Sequence, residues 1–257
     1  MSHTAIEAVL DDFWRARQDG VYFPPAYNGE LTFDDAYRIQ LGLIARREAA
    51  GERQVGWKVG LTAKTIQDQF RVHEPVFGCL LAEGVKGNGA VFACGELIKP
   101  GFENEICMRL GRDLTDPHID AATARRAIES CHPAFEITET RGDFTAELAL
   151  AIADNVQQKA IVLGPATRMS GDLDLAAIGV RVEINGEEVA AGKGDAVLGD
   201  PVNSVVWLAK KLAQFGRGLK AGDLVMTGSF TRQFLLHPGD RIRARFDRLG
   251  EVAAEFR

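Results

Sequence analysis

The first fifty residues place their hydrophobic positions at the spacing of a helix. One apolar stripe is formed by residues that recur at steps of three or four: Ile6, Val9, Leu10, Phe13 and Trp14. Such a stripe is typical of an amphipathic helix with one face against a core. Pro24-Pro25 interrupts the pattern, because proline removes a backbone donor and fixes φ.

A second helix is predicted after this break. Thr32 is suited to cap its first turn, with Asp35 three residues later in an approximate capping box. Gly51 is a typical residue just beyond a helix C-terminus. Residues 1–52 are therefore predicted to form a helical N-terminal part.

From residue 53 onward, the hydrophobic period changes to two. Val55, Trp57, Val59 and Leu61 alternate with small or polar residues, which predicts a strand, and Thr62 is expected to cap the short helix that follows. Further strands are predicted within 91–110, 135–138, 180–184, 224–230, 241–247 and 251–256.

Two more helices are predicted, one from Asp120 to a stop at His132-Pro133 and one over 202–212. Asn185-Gly186 is a favoured two-residue hairpin turn. Strands outnumber helices and several are joined by hairpins, so residues 53–257 are predicted to form a β-rich catalytic domain in an α+β fold.

Composition narrows the class of protein. Lys and Arg total 30 against 36 Asp and Glu, a net charge of −6 that argues against general nucleic-acid binding. The alternating arginines Arg241, Arg243 and Arg245, with Arg248, are interpreted as the solvated face of a strand. The four cysteines are scattered and form no CxxC pair, which argues against a zinc site and against a disulfide framework. No apolar run has the length of a membrane span and the first residues lack a signal-peptide pattern, so we expect a cytoplasmic protein.

Three acidic residues are the strongest candidates for chemistry. Glu103 and Glu105 are two positions apart, so on a strand both side chains project from one face. Glu136 lies within the apolar stretch 134–137, where an uncompensated charge is costly. A solvent-exposed strand edge is the alternative for the Glu103 and Glu105 pair. Carboxylates without a soft ligand favour a hard divalent ion, Mg²⁺ or Mn²⁺, whose open positions suit a chelating 2-oxo acid.

Lys58 is a second candidate, because it shares its strand face with Gly56 and Gly60, which leave room for a ligand. A substrate-binding or proton-transferring role is one interpretation, and a surface lysine is the other.

Several short segments together carry a family resemblance over nearly the whole chain. In order they are Gly56-Trp57-Lys58-Val59-Gly60-Leu61-Thr62, Glu74-Pro75-Val76-Phe77-Gly78, Glu103-Asn104-Glu105-Ile106, Gly111-Arg112-Asp113-Leu114, Pro133-Ala134-Phe135-Glu136-Ile137, Ala153-Asp154-Asn155, Ala221-Gly222-Asp223 and Thr227-Gly228-Ser229. They are similar to the fumarylacetoacetate hydrolase superfamily, in particular to its 2-oxopent-4-enoate hydratase and 4-oxalocrotonate decarboxylase branch. The resemblance implies a mixed, rolled β-sheet core of that family's C-terminal type, with a helical N-terminal part, in a homo-oligomer.

The resemblance also implies roles for individual residues. The family's metal ligands map onto Glu103, Glu105 and Glu136, and its active-site lysine onto Lys58. Asp154 is the second predicted catalytic residue. The predicted substrate-binding residues are Leu61, Ser229, Thr231 and Arg232.

The implied activity is a lyase acting on a small 2-oxo acid from meta-cleavage of aromatic compounds. A hydratase would take a 2-hydroxy-2,4-dienoate, through its 2-oxo-3-enoate tautomer, to a 4-hydroxy-2-oxo acid. One alternative is a decarboxylase of a 2-oxo-3-enedioate. Another is a noncatalytic assembly partner of a pathway enzyme.

Some residues depart from the family pattern or leave two interpretations open. Asp200 stands where a histidine is common and Glu139 where a small or neutral residue is usual, and Lys159 is the last of four residues, 156–159, that replace the usual small ones. Arg232 has two interpretations, pairing with a distal substrate carboxylate through its planar fork or lying at the surface after a strand.

Overall fold

The computed structural model describes residues 3–116 and 118–257. The α-helices in this part of the chain are α1 (His3–Gln18), α2 (Phe33–Ala49), α3 (Lys64–Phe70), α4 (Ala121–Ala127), α5 (Leu148–Ala153) and α6 (Val202–Ala213). The strands are β1 (Gln54–Gly60), β2 (Val76–Leu81), β3 (Val85–Gly87), β4 (Ala90–Phe92), β5 (Pro100–Leu110), β6 (Ile128–Glu139), β7 (Gln158–Leu163), β8 (Thr167–Arg168), β9 (Gly179–Ile184), β10 (Glu187–Lys193), β11 (Leu224–Ser229), β12 (Phe234–Leu235), β13 (Arg241–Phe246) and β14 (Gly250–Phe256).

These strands form two sheets. In the described residues the larger sheet follows the order β2-β1-β11-β5-β6-β7-β3, with β12 added to β5 and β8 added to β6. It is mixed, since β1 and β11 are parallel while β5 is antiparallel to both β11 and β6. The second sheet has the order β10-β9-β13-β14-β4, and its strands β13 and β14 contact β6. The predicted α+β fold with a mixed, rolled sheet core and a helical N-terminal part is therefore confirmed.

The N-terminal helices form where the sequence predicts them. The Thr32 hydroxyl accepts a hydrogen bond from the Asp35 N–H at 3.2 Å, which caps α2. The stripe of α1 packs on α2 at Gly42, where an added Cβ would lie 2.7 Å from a methyl group of Leu10. Close packing at a glycine thus joins the two helices.

Strand β2 lies at an edge of the larger sheet, and α2 covers that edge. The Phe77 N–H donates to the Tyr37 hydroxyl at 3.4 Å, and the Gln40 side-chain amide donates to the Phe77 carbonyl at 3.0 Å. Gln40 also donates to the Ile152 carbonyl at 2.7 Å, so one buried amide links α2, β2 and α5. Backbone groups that an edge strand leaves unpaired are satisfied here by side chains.

The predicted helix from Asp120 is shorter than expected, and its predicted stop is wrong. Helix α4 ends at Ala127, and His132-Pro133 lies inside β6. Pro133 is tolerated there because it lies in a gap along one edge of β6. On that edge the pairing with β7 ends at Ala134, and the pairing with β8 begins at Cys131. Its carbonyl accepts from the Gly164 N–H, and no ladder donor is required at this position.

Thr62 does not cap α3, which begins after Ala63 without a side-chain cap. Thr62 is instead buried against Gly228, where an added Cβ would lie 2.4 Å from its Oγ1 atom. The hairpin turn at Asn185-Gly186 is confirmed, with φ values of 56° and 88°. Arg241, Arg243, Arg245 and Arg248 are exposed, as predicted for a solvated strand face. Within the described residues, none of the helices combines the length and the apolar character needed to span a membrane.

Candidate active site

Three carboxylates meet on one face of the larger sheet. Glu103 and Glu105 project from the same face of β5, and Glu136 on β6 is the register partner of Glu103. One carboxylate oxygen from each of the three lies within 4.8 Å of the others. Glu105 and Glu136 are buried, and Glu103 is half-buried. The spacing of two places Glu103 and Glu105 on one face of β5, and the antiparallel register with β6 then brings Glu136 beside them.

Lys58 reaches this cluster from β1, on the other side of β11. Its Nζ atom lies 2.7 Å from Oε1 of Glu136, and both side chains are buried. Two glycines flank the lysine stem: an added Cβ would lie 3.9 Å from Nζ at Gly60 and 3.1 Å from Cγ at Gly78. The surface-lysine interpretation is thus excluded. Of the two glycines predicted beside the lysine, Gly60 is there, whereas Gly56 lies against the Leu224 backbone and Gly78 takes its place.

Gly228 supports the cluster through its backbone, a contact that the sequence did not reveal. Its N–H donates to Oε2 of Glu105 at 2.8 Å. The register between β11 and β5 shifts between Met226 and Ser229, and Gly228 has φ of 112°. Glycine inside an apolar strand is a sign of a bulge or a close approach, and this signal was available in Thr227-Gly228-Ser229.

Burial and mutual repulsion keep these carboxyl groups from ionising easily. Burial, followed by the repulsion of Glu136, raises the pKa of Glu103 to about 7, although Lys58 opposes the shift. Burial and the other two carboxylates raise the pKa of Glu105 well above its ordinary value. Burial also raises the pKa of Glu136, against the opposing effect of Lys58. Burial acts to lower the pKa of Lys58, but the attraction of Glu136, Glu103 and Glu105 together, with the hydrogen bond to Glu136, outweighs it and the net pKa is raised.

The donor set fits a hard divalent cation. Glu105 Oε1 and Glu136 Oε2 are buried without a hydrogen-bond partner among the described residues. Buried carboxylate oxygens normally have a hydrogen bond, a counter-ion or a metal. An all-oxygen set without cysteine or histidine is the kind that Mg²⁺ and Mn²⁺ prefer. The carboxylate oxygens of this cluster therefore fit the ligand preference of such an ion. That Glu103, Glu105 and Glu136 bind it stays a prediction.

Asp154 lies in a separate buried charge network. Its two carboxylate oxygens accept hydrogen bonds from Arg141 Nε at 2.6 Å and from Arg17 Nη1 at 2.8 Å. Arg141 also donates to Glu139 at 3.0 Å, and both guanidinium groups lie against the ring of Tyr22. Sequence reasoning missed Arg17 and Arg141, because the burial of Glu139 and Asp154, which requires facing cations, is seen only in the folded chain.

The departures from the family pattern have local partners. Lys159 Nζ lies 3.4 Å from Glu139, so two of these departures form one ion pair. Asp200 accepts the Val202 N–H at 2.8 Å, which satisfies a free donor at the start of α6.

The predicted substrate-binding residues differ in where the structure places them. Ser229 is the register partner of Glu105. Leu61 follows β1 with φ of 55°, and its carbonyl accepts from the Gln67 side chain. The Thr231 hydroxyl accepts from Asn104 Nδ2, and Asn104 is on the face of β5 opposite to Glu103 and Glu105.

Arg232 is exposed, and its guanidinium carbon lies 4.1 Å from the ring centroid of Phe234. This contact is compatible with a surface arginine and with one available to a substrate. The structure therefore brings Lys58 to the three carboxylates, and it leaves Asp154, Thr231 and Arg232 with other partners.

Comparison with known proteins places this geometry in a family. The chain is 38% identical over 224 residues to 2-keto-4-pentenoate hydratase 1 of Dechloromonas aromatica (strain RCB), which covers 87% of this chain and 85% of the relative. It is 35% identical over 230 residues to 2-hydroxyhexa-2,4-dienoate hydratase of Comamonas testosteroni, covering 88% and 87% of the two chains.

Among solved structures, 4-oxalocrotonate decarboxylase from Pseudomonas putida G7, complexed with magnesium and adipate, superposes with a TM-score of 0.93 at 32% identity. That match covers 100% of this chain and 99% of the other. The family model for the fumarylacetoacetate (FAA) hydrolase C-terminal region matches residues 50–257. A mixed rolled sheet, a cluster of three carboxylates and these matches together show that the chain belongs to the fumarylacetoacetate hydrolase family.

Proposed function

We propose that this protein is a divalent-metal-dependent hydratase that converts a 2-hydroxy-2,4-dienoate into a 4-hydroxy-2-oxo acid. The observation that carries the proposal is the buried group of Glu103, Glu105 and Glu136 with the Lys58 amino group 2.7 Å from Glu136. The two named hydratases, at 38% and 35% identity over most of their length, support the same reaction class.

The metal-binding part of the site would consist of Glu103, Glu105 and Glu136. A bound Mg²⁺ or Mn²⁺ would supply Lewis acidity toward the carboxylate and 2-oxygen of the substrate. Gly228 holds Glu105 in orientation through its N–H group, as supporting hydrogen bonds do around metal ligands.

Lys58 is the group that we assign to the substrate's reacting end. Its ammonium is buried beside carboxylates and flanked by Gly60 and Gly78, so it offers a fixed positive charge and a proton at Nζ. In that position it would orient an anionic oxygen and hold a proton during tautomerisation of the dienoate to the 2-oxo-3-enoate. Water then adds across the C3–C4 double bond, with its oxygen bonded to C4 and a hydrogen to C3.

Asp154 is assigned to support of the site. Arg17 and Arg141 occupy both of its carboxylate oxygens, which leaves neither free to exchange a proton with substrate. Leu61, Ser229, Thr231 and Arg232 remain proposed substrate contacts, with Arg232 at the distal end.

The test is a paired assay of the purified protein with Mg²⁺. Loss of ultraviolet absorbance from a 2-hydroxy-2,4-dienoate, without carbon dioxide release, is expected. Unchanged absorbance over several substrate chain lengths would rule out the hydratase.

A decarboxylase is the second candidate, favoured by the full-length superposition on the magnesium-bound decarboxylase at 32% identity. Carbon dioxide release from a 2-oxo-3-enedioate would support it. If neither substrate reacts with metal supplied, the noncatalytic assembly partner would replace both lyase candidates.

We also propose that the protein works in the cytoplasm as a homo-oligomer. All four cysteines are buried and unpaired, as is usual in a reducing compartment. Sedimentation of the purified protein tests the oligomeric state, and a pull-down with its pathway enzyme tests a partner.

A further inference from the structure

We propose that Asn155 is a positioning residue for Lys58, acting through the edge strand β2. The proposal rests on the function assigned to Lys58 above and adds to it the means by which the lysine is held. Asn155 lies more than ninety positions from Lys58 along the chain, yet it packs against the same glycine.

That glycine is Gly78, the register partner of Lys58 in the β1–β2 pairing. An added Cβ at Gly78 would lie 3.1 Å from Lys58 Cγ and 3.1 Å from both the backbone carbonyl oxygen and Oδ1 of Asn155. A side chain at this position would therefore have to displace one of these groups. The lysine stem and Asn155 both pack against the backbone of Gly78, which has no side chain to keep them away.

Asn155 is fixed to β2 by two hydrogen bonds to one residue. Its Oδ1 accepts the Cys79 N–H at 2.6 Å, and its Nδ2 donates to the Cys79 carbonyl at 2.9 Å. An amide side chain thus pairs with an edge strand as a neighbouring strand would. Since Cys79 follows Gly78 directly, this pairing sets how closely β2 approaches Lys58.

The turn that carries Asn155 is unusual. Asn155, Val156 and Gln157 have φ values of 61°, 52° and 57°, three consecutive non-glycine residues in the left-handed region. A branched residue such as Val156 is disfavoured there, so the conformation has to be imposed by its surroundings. The Asp154 carbonyl accepts from Arg141 Nη2 at 3.0 Å, and Gln157 Nε2 donates to the Gly142 carbonyl at 3.0 Å.

Arg141 anchors the turn at Asp154, and the side chain of the next residue, Asn155, is directed at β2. The Gln157 bond fixes only the other end of the turn, to Gly142. Asp154 belongs to the buried network with Arg17, and so the turn, β2 and the helical N-terminal part are held together. We infer that this assembly keeps the Lys58 amino group at its 2.7 Å distance from Glu136.

The closing experiment compares two glycine substitutions in this turn. Asn155→Gly removes both bonds to Cys79, and Gln157→Gly removes the bond to Gly142; both relieve a left-handed φ. With Mg²⁺ supplied, Asn155→Gly is expected to lower kcat about tenfold to a hundredfold with little change in KM, as for a misplaced catalytic group. Gln157→Gly is expected to keep the kcat of the unmodified protein.

A second measurement does not depend on turnover. In the Mg²⁺-loaded protein, the NMR signal of the buried Lys58 ammonium is identified by its absence from Lys58→Met. It is expected to broaden or move in Asn155→Gly and to stay in place in Gln157→Gly. Equal effects of the two variants on kcat and on this signal would overturn the proposal.

The outcome separates this proposal from the proposed function. If the unmodified protein turns over neither substrate, the assigned activity fails, and the ammonium signal still decides whether Asn155 positions Lys58. If Asn155→Gly does not fold, Asn155→Asp and Gln157→Glu replace the pair. Each keeps the shape of the side chain and loses the amide donor to a backbone carbonyl, and only Asn155→Asp should displace the lysine signal.

Discussion

The amino group of Lys58 lies 2.7 Å from Oε1 of Glu136, and the two side chains are 5% and 0% exposed. Glu103 and Glu105 add two more carboxylates to this pair. With all four groups ionised, three negative charges face one positive charge, and two negative charges remain. A divalent cation bound there would bring the cluster to neutrality, which is the electrostatic reason for expecting one.

Lys58→Met is expected to abolish turnover and leave metal binding in place. The substitution removes the charge and keeps a similar length of apolar stem, so kcat should fall about a hundredfold or more, as when a positioned electrostatic contact is lost. Steady-state kinetics and calorimetric Mg²⁺ titration measure the two effects. Lys64→Met, at an exposed lysine paired with Asp68, is the control. Turnover equal to that of the control would contradict the role of Lys58.

Glu105→Gln is expected to weaken metal binding without unfolding the protein. The amide resembles the protonated carboxyl, which burial already favours in the metal-free protein. The Mg²⁺ affinity should fall about a hundredfold or more, beyond the effect of losing a supporting contact. Glu129→Gln, at an exposed position of β6, should bind Mg²⁺ as the unmodified protein does. Unchanged Mg²⁺ affinity in Glu105→Gln would refute the ligand assignment.

Metal affinity is expected to rise with pH. The pKa of Glu103 is raised from 4.5 to about 7, so the metal-free site holds protons that a cation must displace. In calorimetry at about pH 6 in two buffers of different ionisation enthalpy, binding of Mg²⁺ should release protons. An absence of proton release would contradict the raised pKa.

The same shift predicts how stability depends on pH. A carboxyl with a raised pKa binds more protons folded than unfolded, so it stabilises the metal-free protein at low pH. That contribution is lost as pH rises between 4.5 and about 7. The increase in Tm that Mg²⁺ causes should therefore be larger at about pH 8 than at about pH 5.5. An equal increase in Tm at the two pH values would contradict this prediction.

Arg141→Met is expected to destabilise the fold strongly. It removes the cation that Asp154 and Glu139 share and leaves them with Arg17 and Lys159, and breaking a buried pair typically costs about 3–5 kcal/mol. Arg248→Met, which breaks an exposed pair with Asp172, should cost far less, because solvent screens exposed pairs. Urea denaturation measures the free energies of unfolding, and equal losses in the two variants would show that the buried network contributes little.

Arg232→Ala is expected to separate substrates by their distal group. If Arg232 pairs with a second carboxylate, kcat/KM for a dicarboxylic dienoate should fall about tenfold, the value of one charged hydrogen bond. The value for a monocarboxylic dienoate should stay the same. Arg243→Ala, at another exposed arginine, is the control. Equal behaviour of the two substrates would leave Arg232 as a surface residue on Phe234.

The sequence predicts those features that depend on local spacing. Glu103 and Glu105 share a face because strand side chains alternate, and the Thr32 cap depends on residues three positions apart. Contacts between distant segments could not be predicted in this way. Arg17 and Asp154 are joined across 137 positions, and no local pattern marks them as partners.

The wrong prediction at His132-Pro133 has the same origin. Proline is a general helix stop, and only the sheet pairing shows that Pro133 lies at a position where no donor is needed. The division of the chain at residue 52 into two domains stays a prediction. Contacts of α2 with β2 and α5 show how closely the two parts pack.

The covered edge of β2 has a consequence for folding. Tyr37 and Gln40 occupy backbone groups that would otherwise be open to a strand from another molecule. Without α2, the edge of β2 would be open at Phe77 and covered only at Cys79, by Asn155, and an open, apolar edge is the kind of surface on which sheet proteins aggregate. The helices therefore protect the sheet from intermolecular pairing, and we expect the two parts to unfold as one cooperative unit.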